Sequence, residues 1–577
     1  MTCREDSDGA LPRSAGADRR HTASQNVTER DSLLPRRNVK LRGTFELQPD
    51  GHSYTYSYGP TGIAGLLHNY YALACAFFAS IGGLTFGYDQ GAIANVLVMP
   101  DFRKRFPITP LQKGSMTALL QLGALVGALG AGTLADRHSR RISMFTACFL
   151  FCIGCALQGG AQSLDHLFIG RAVGGLGIGA LSMLTPLYMA EISPPEVRGS
   201  LMSLEQFSIV LGVVLGYWTG FSTRSIPSSA SWRIPLAVQL TPGAILGIGC
   251  CFFLPQSPRL LVLQGRYDDA LHCLARLRLR SWEEAREDPL IQIELLEMRV
   301  EATLIQRALG DGAEILRPWN LKAEYRAWRL LFESKYRNRT SVAVLVMAFK
   351  QWSGINGLLY YGPTLVRRIG LHGDTVSLLV SGGIGIVQLV AVIPTILYID
   401  QLGRKPLLRT GGAVMTVSHL TTALLVWYSH SGGSARSRTA WASVVIIYIF
   451  TAAYGISFGP IGWVLPSEVF PLSTRSKGVA LATASNWLNN FFVGLVTPVI
   501  IDFSPAATFV TFAVASALGY LWSTYLVPET ANVSLEEIDA VFKSPAAWEE
   551  SQAKQRIEEE LGLQDLVREL GAELGQT

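Results

Sequence analysis

Apolar residues in this chain of 577 residues collect into long blocks instead of alternating with polar ones. Twelve such blocks run at about 71–97, 114–134, 142–161, 167–190, 201–221, 234–254, 341–366, 376–399, 407–428, 441–465, 479–501 and 507–527. Each is near the ~20 apolar residues that a helix needs to cross a bilayer. The pattern predicts an all-α polytopic membrane protein with twelve transmembrane helices. Several blocks contain Gly, Pro or one charge, which a membrane helix tolerates where it faces protein or water. Between the sixth and seventh blocks lies a charged stretch with the amphipathic patterning of "YDDALHCLARLRL" and "LIQIELLEMRVEATLIQRAL". It divides the spans six and six.

The two sets of six echo each other. After span 2 comes "ADRHSRR" and after span 8 "DQLGRK"; after span 4 comes "AEISPPEVRGS" and after span 10 "SEVFPLSTRSKG". In the latter pair a Glu precedes an Arg by the same interval, Glu191 to Arg198 and Glu468 to Arg475. "PQSPRLL" and "PETANVSLEE" follow spans 6 and 12. Three echoes in one order predict an internal duplication, hence two pseudo-symmetric six-helix bundles with a substrate site between them at mid-membrane. The expected organisation is a disordered N-terminal tail at 1–66, bundles at 67–257 and 340–528, a helical linker at 258–339 and a tail at 529–577. An even number of spans puts both termini and the linker on one side. Basic residues in the short loops divide almost evenly between the two sides, so they do not orient the chain. The polar, basic tail and linker place that side in the cytoplasm. Asn26, Asn338 and Asn532 head Asn-x-Ser/Thr triplets in those segments, where no glycosylation is expected.

Composition narrows the function. Charged residues make up 16% of the chain and the net charge is +5, which gives no basic surface for nucleic acid. The cysteines lie mostly inside apolar blocks (Cys75, Cys148, Cys152, Cys155, Cys250, Cys251) and form neither a disulfide framework nor a zinc pattern. No nucleophile–base set, phosphate loop or metal cluster is present, so neither an enzyme nor a cofactor is expected. The acidic C-terminal stretch "WEESQAKQRIEEELGLQDLVRELGAEL" reads as a solvated amphipathic helix.

One residue breaks the pattern. Lys350 stands inside the block "SVAVLVMAFKQWSGINGLLYYGPTLV", followed by Gln351 and Asn356. It lies nine residues from the block's start, ~14 Å deep at ~1.5 Å per residue, too deep for its head to return easily to water.

The stretches "GYDQG", "RGSLMSLEQ", "PQSPR", "QWSGINGLLYYGP", "GPIGWVLPSEVFP" and "PET" resemble the sugar porter family of the major facilitator superfamily, in fungal style, across about 70–540. That resemblance implies alternating access by two six-helix bundles. It implies a proton-coupling acid at Asp89, partnered by Arg171 of span 4. Proton occupancy of the acid would then follow whether the pair is intact. It implies inner-gate ion pairs among Asp136, Arg137, Arg141, Glu191, Arg198, Asp400, Arg404, Glu468 and Arg475. Ser139 replaces the usual Gly of the first such loop, and Gln256 a usual Glu. For the substrate, amides that donate and accept at once suit hydroxyls, and aromatic faces suit sugar rings. Gln206, Gln351, Asn356, Gln388 and Asn486 match such positions, with Trp463, Tyr454 and Tyr360 as walls. Lys350 replaces a sugar-reading glutamine with three donors and no acceptor. It would pair with an anionic cargo or with Asp89, or sit neutral as a weak polar contact.

The expected function is a proton-coupled secondary transporter for a sugar or sugar-like polyol. A carrier of organic acids on the same scaffold and a non-transporting nutrient sensor are the alternatives. The expected partners are that small molecule, protons and the bilayer, with a functional monomer in the plasma membrane.

Overall fold

The computed structural model describes residues 42–48, 54–137, 139–309, 321–371, 373–430, 436–470, 472–530 and 545–574. Among the described residues, eleven helices or helix pairs are long and apolar enough to cross a membrane. In chain order they are spans 1 (Tyr70–Val96), 2 (Gly114–Ala135), 3 (Arg140–Gly159), 4 (Leu164–Ile192), 5 (Pro195–Thr223), 6 (Ala230–Phe252), 7 (Ser334–Ile369), 8 (Thr375–Leu402), 10 (Ser437–Val469), 11 (Thr474–Phe503) and 12 (Pro505–Tyr525). Span 9 is the unbroken helix Arg404–His430. Ser418, His419, Thr421 and Thr422 make it more polar than its neighbours, yet it packs along spans 10 and 12.

The helix contacts carry the repeat into three dimensions. Span 1 packs on 5 as 7 packs on 11, 2 on 4 as 8 on 10, and 3 on 4 as 9 on 10. Between the bundles, span 2 meets 11 and span 5 meets 8, again as equivalents. Small residues set how near these helices come. A Cβ on Gly87 would collide with the backbone oxygen of Ile209, so spans 1 and 5 touch main chain to main chain.

On the side that carries the chain ends, a second core lies outside the spans. It is built from α1 (Pro258–Leu263), α2 (Tyr267–Leu277), α3 (Trp282–Glu287) and α4 (Pro289–Leu309), with α5 (Leu321–Leu330) beside them. The sequence predicts disorder to residue 66, but β1 (Thr44–Leu47) and β2 (Tyr54–Ser57) form an antiparallel hairpin on α4. Tyr54 and Tyr56 donate to Glu297 at 2.8 and 2.9 Å, and Tyr58 donates to Glu294 at 2.7 Å. The C-terminal stretch is likewise not simply solvated. It forms α6 (Pro545–Leu561) and α7 (Leu563–Glu573), which bury Ile557, Leu563, Leu566, Val567 and Leu570 against α4 and β1. Alternating tyrosines in β2 and the leucine spacing of α7 are the local reasons: each presents one apolar face that needs a partner.

Candidate substrate site between the bundles

Span 7 is two helices, Ser334–Trp352 and Ile355–Ile369, joined at Ser353 and Gly354. Gly354 has φ +93°, the left-handed region, and Phe512 fills the space where its Cβ would be. This break puts Lys350 and Gln351 at the end of one helix and Asn356 at the start of the next, all facing one central cavity.

Gln206, Gln388, Tyr454 and Trp463 line that cavity with them, as does Phe86. Gln206 Oε1 accepts from Trp463 Nε1 at 3.1 Å and from Lys350 Nζ at 3.4 Å. The Lys350 ammonium lies 4.1 Å from the centre of the Trp463 ring, a cation–π contact. Gln351 donates to Asn486 at 2.5 Å and accepts from Asn356. Asn486 stands behind Gln351, and its Nδ2 has no hydrogen-bond partner; neither has Gln388 Oε1, although both residues are buried. Hydrogen bonds also cross between the bundles: Gln90, which lines the cavity, to Tyr360 at 2.9 Å, and Tyr217 to the Leu378 carbonyl at 2.8 Å.

Asp89 and Arg171 meet as expected, in a two-pronged pair at 3.2 and 3.0 Å, both nearly inaccessible. That pairing removes Asp89 as the partner of Lys350. The carboxylate within electrostatic reach of Lys350 is Glu205. Glu205 is fully buried, points at Gly83 of span 1, and neither of its oxygens accepts a hydrogen bond.

The gate residues divide. Arg404 bonds Glu468 at 2.7 Å and Asp400 at 3.0 Å. In the first bundle Glu191 takes Arg140 at 2.8 Å, not Arg141, whose guanidinium goes to the carbonyls of Cys250 and Cys251. Setting "DRHSRR" against "DQLGRK" residue by residue places Arg140 opposite Arg404, so the repeat itself held the right choice. Arg475 donates to the Phe470 carbonyl and Glu468 is taken by Arg404, so the Glu468–Arg475 spacing is not a pair. Arg198 opens the helix of span 5, and the side chains of Asp136 and Arg137 lie outside the described residues. Ser139 caps span 3, accepting from Ile142 N–H, where its counterpart Gly403 turns through φ +83°. The Arg140 and Arg404 pairs with their glutamates each lie inside one bundle. Bonds that cross on this side include Asp400 with the Ser200 amide and hydroxyl, both at 3.0 Å, and Lys477 with the Gly132 carbonyl and Thr133 hydroxyl, both at 3.2 Å.

Four polar residues of this region were not singled out from sequence: Gln90, Gln121, Asn490 and Glu205. Gln121 and Asn490 both bond the Tyr360 hydroxyl. Asn490 follows Asn486 by one helical turn, and that i, i+4 spacing was a usable signal. Gln121 is a lone amide in an apolar run, and lone amides in membrane helices usually have an interhelical partner.

Residues 75–542 match the family of sugar (and other) transporters. Probable polyol transporter 4 of Arabidopsis thaliana is 31% identical over 82% of this chain and 85% of its own length. The quinate permease of Neurospora africana is 30% identical over 82% and 89%. Among solved structures, the proton:xylose symporter XylE of E. coli, bound to 6-bromo-6-deoxy-D-glucose, superposes with a TM-score of 0.70 at 25% identity, covering 82% of this chain and 99% of XylE. The chain is a multi-pass membrane transporter, not an enzyme, and it belongs to the sugar porter family of the major facilitator superfamily.

Proposed function

We propose that the protein carries a neutral sugar or sugar-like polyol by alternating access, in symport with protons. The observation that carries this reading is the cavity's ring of amides, Gln90, Gln206, Gln351, Asn356 and Gln388, in which Gln388 Oε1 is buried with no partner among the described residues. That open acceptor suits a hydroxyl, which can donate to it while accepting from a neighbouring amide. Unmet groups of this kind cost ~1–3 kcal/mol each until something fills them. Trp463 and Tyr454 supply the flat apolar faces that ring carbons need. Asp89 and Arg171 supply a membrane-embedded acid whose partner can leave it, which a proton-coupled carrier requires. The protein works as a monomer in the plasma membrane, with both termini cytoplasmic.

The test is uptake of labelled D-glucose, D-xylose, sorbitol and quinate in a transporter-null cell, with and without a protonophore. Uptake of a neutral probe that falls with the protonophore and with Asp89→Asn supports the reading. Uptake indifferent to both treatments overturns symport. Expression without uptake of any probe leaves the sensor role.

A second reading has its own observation. The Lys350 ammonium has three N–H donors and, among the described residues, one oxygen contact, Gln206 at 3.4 Å. An organic acid would satisfy the rest. Lys350→Gln then loses quinate uptake and gains hexose uptake; an unchanged profile sinks the acid reading.

A further inference from the structure

We infer that His419 of span 9 is a positioning residue for the substrate site, holding the break of span 7 in place from outside the cavity. The inference rests on the transport reading above and adds a residue that no part of that reading uses.

His419 is 1% exposed, in the middle of a membrane helix. Its ring packs among three aromatic rings, with centroids 4.1 Å from Phe450, 5.7 Å from Phe512 and 6.1 Å from Phe509. Its Nε2 lies 2.8 Å from the Ser353 carbonyl oxygen. A carbonyl only accepts, so Nε2 carries the hydrogen of this bond. A polar ring in such a box is costly unless it has a partner, and the partner is the backbone of span 7.

That backbone atom is at the hinge. The first helix of span 7 ends at Trp352, and Gly354 turns left-handed before the second begins. A helix that ends inside the membrane leaves carbonyls without their usual intrahelical donors, and something must satisfy them. The Leu358 amide takes the Gly354 carbonyl at 3.0 Å and restarts the ladder. His419 takes the Ser353 carbonyl, and the Ser353 hydroxyl in turn donates to the Lys350 carbonyl at 2.7 Å. The same ring contacts Phe512, the side chain that occupies the space beside Gly354. Thus one imidazole fixes the residue between Lys350 and Gln351 on one helix and Asn356 on the next. The Asn356–Gln351 bond spans that hinge, so its geometry depends on the angle His419 holds. His419 itself does not line the cavity.

The test uses the full-length chain with His419→Phe, which keeps a ring in the aromatic box but drops the donor, and His419→Gln, which can restore one. Two readouts are needed. In cells, His419→Phe is expected to raise the half-saturating concentration of the transported probe about tenfold, the fold-change of roughly 1.4 kcal/mol for a buried hydrogen bond. Maximal rate per molecule at the surface moves less, and His419→Gln brings half-saturation most of the way back. In purified protein, amide hydrogen exchange of the 350–358 segment rises several-fold in His419→Phe while spans 1–6 keep their protection. Unchanged half-saturation, a Gln variant no better than Phe, or exchange that is flat at 350–358 or rises through the whole chain each overturns the inference. If the wild type moves none of the probes, the transport reading fails, and the exchange measurement still decides the hinge.

Discussion

Gln206 Oε1 is shared between an indole N–H and an ammonium, and this one oxygen links a helix of the first bundle to two helices of the second. Removing it leaves Lys350 buried without an oxygen partner, which is the expensive case. Gln206→Leu is therefore expected to lower the unfolding free energy of the purified protein by ~1–3 kcal/mol. The same change made on top of Lys350→Leu should cost markedly less, because the charge it strands is gone. Thermal unfolding of the two singles and the double checks this; additive losses would mean the lysine draws nothing from Gln206. At this scale the sequence was legible in a particular way. The amides sit on the helices where a repeat and a family pattern put them, because a helix position follows from counting residues. What Lys350 touches did not follow, since Trp463 lies more than a hundred residues away and meets it only when the chain folds. Glu205 was missed for the same reason: its side chain faces span 1, and one-chain periodicity does not say which neighbour a buried face meets.

The elements on the terminus side form a relay whose members come from three parts of the chain. Tyr58 of the N-terminal segment donates to Glu294 of α4, Glu294 holds Arg278 at 2.6 Å, and Arg278 donates to the Ile192 carbonyl at the end of span 4. Burial by itself would raise the Glu294 carboxyl, but the Arg278 charge, its hydrogen bonds and the Tyr58 hydroxyl outweigh it and hold Glu294 below the usual carboxylate range. The sign follows. A depressed acid contributes stability at neutral pH that is lost as pH falls through its folded value, below the ordinary carboxylate range. The hydrogen-exchange protection factors of strands β1 and β2 should accordingly hold from neutral pH down past that range and fall only in stronger acid. Arg278→Met strands Glu294 and is expected to cost ~3–5 kcal/mol in this core. The hairpin should lose protection while the spans keep theirs; a hairpin unaffected by the change would show that it docks through its apolar face alone. Helices α2 and α4 were readable as amphipathic stretches, whereas the hairpin was not, because its strands are four residues each and gain their partner only from α4.

For the whole molecule, the question is what holds the two bundles together on the terminus side. The family resemblance implies ion pairs among the inner-loop charges that hold the bundles together, but in the structure the Arg140–Glu191 and Arg404–Glu468 pairs brace each bundle internally. Among the described residues, bonds to a charged side chain bridge the seam at two equivalent places. Asp400 at the end of span 8 accepts from the Ser200 amide and hydroxyl at the start of span 5. Lys477 at the start of span 11 donates to Gly132 and Thr133 at the end of span 2, with Glu324 of α5 joining both Lys477 and Thr133. Spans 5–8 and 2–11 are counterparts in the repeat, so the latch obeys the same symmetry as the bundles. Opening this side, as the proposed alternating access requires, would break these bonds, and a contact present in one state alone shifts the balance by its full value. Each latch bond that involves a charge is worth ~1.5–3 kcal/mol, and ~1.4 kcal/mol is a factor of ten in populations. Asp400→Ala and Lys477→Ala are each expected to raise the fraction open on the terminus side by about tenfold, and together by more than either alone. Spin labels at Phe252 and Tyr525, exposed at the ends of spans 6 and 12 on this side, report the separation of the bundles. A longer-distance population growing from single to double variant supports the latch. A distance distribution that does not change in either variant would place the closing energy in the apolar packing of spans 2, 5, 8 and 11, with the polar bonds setting only their register.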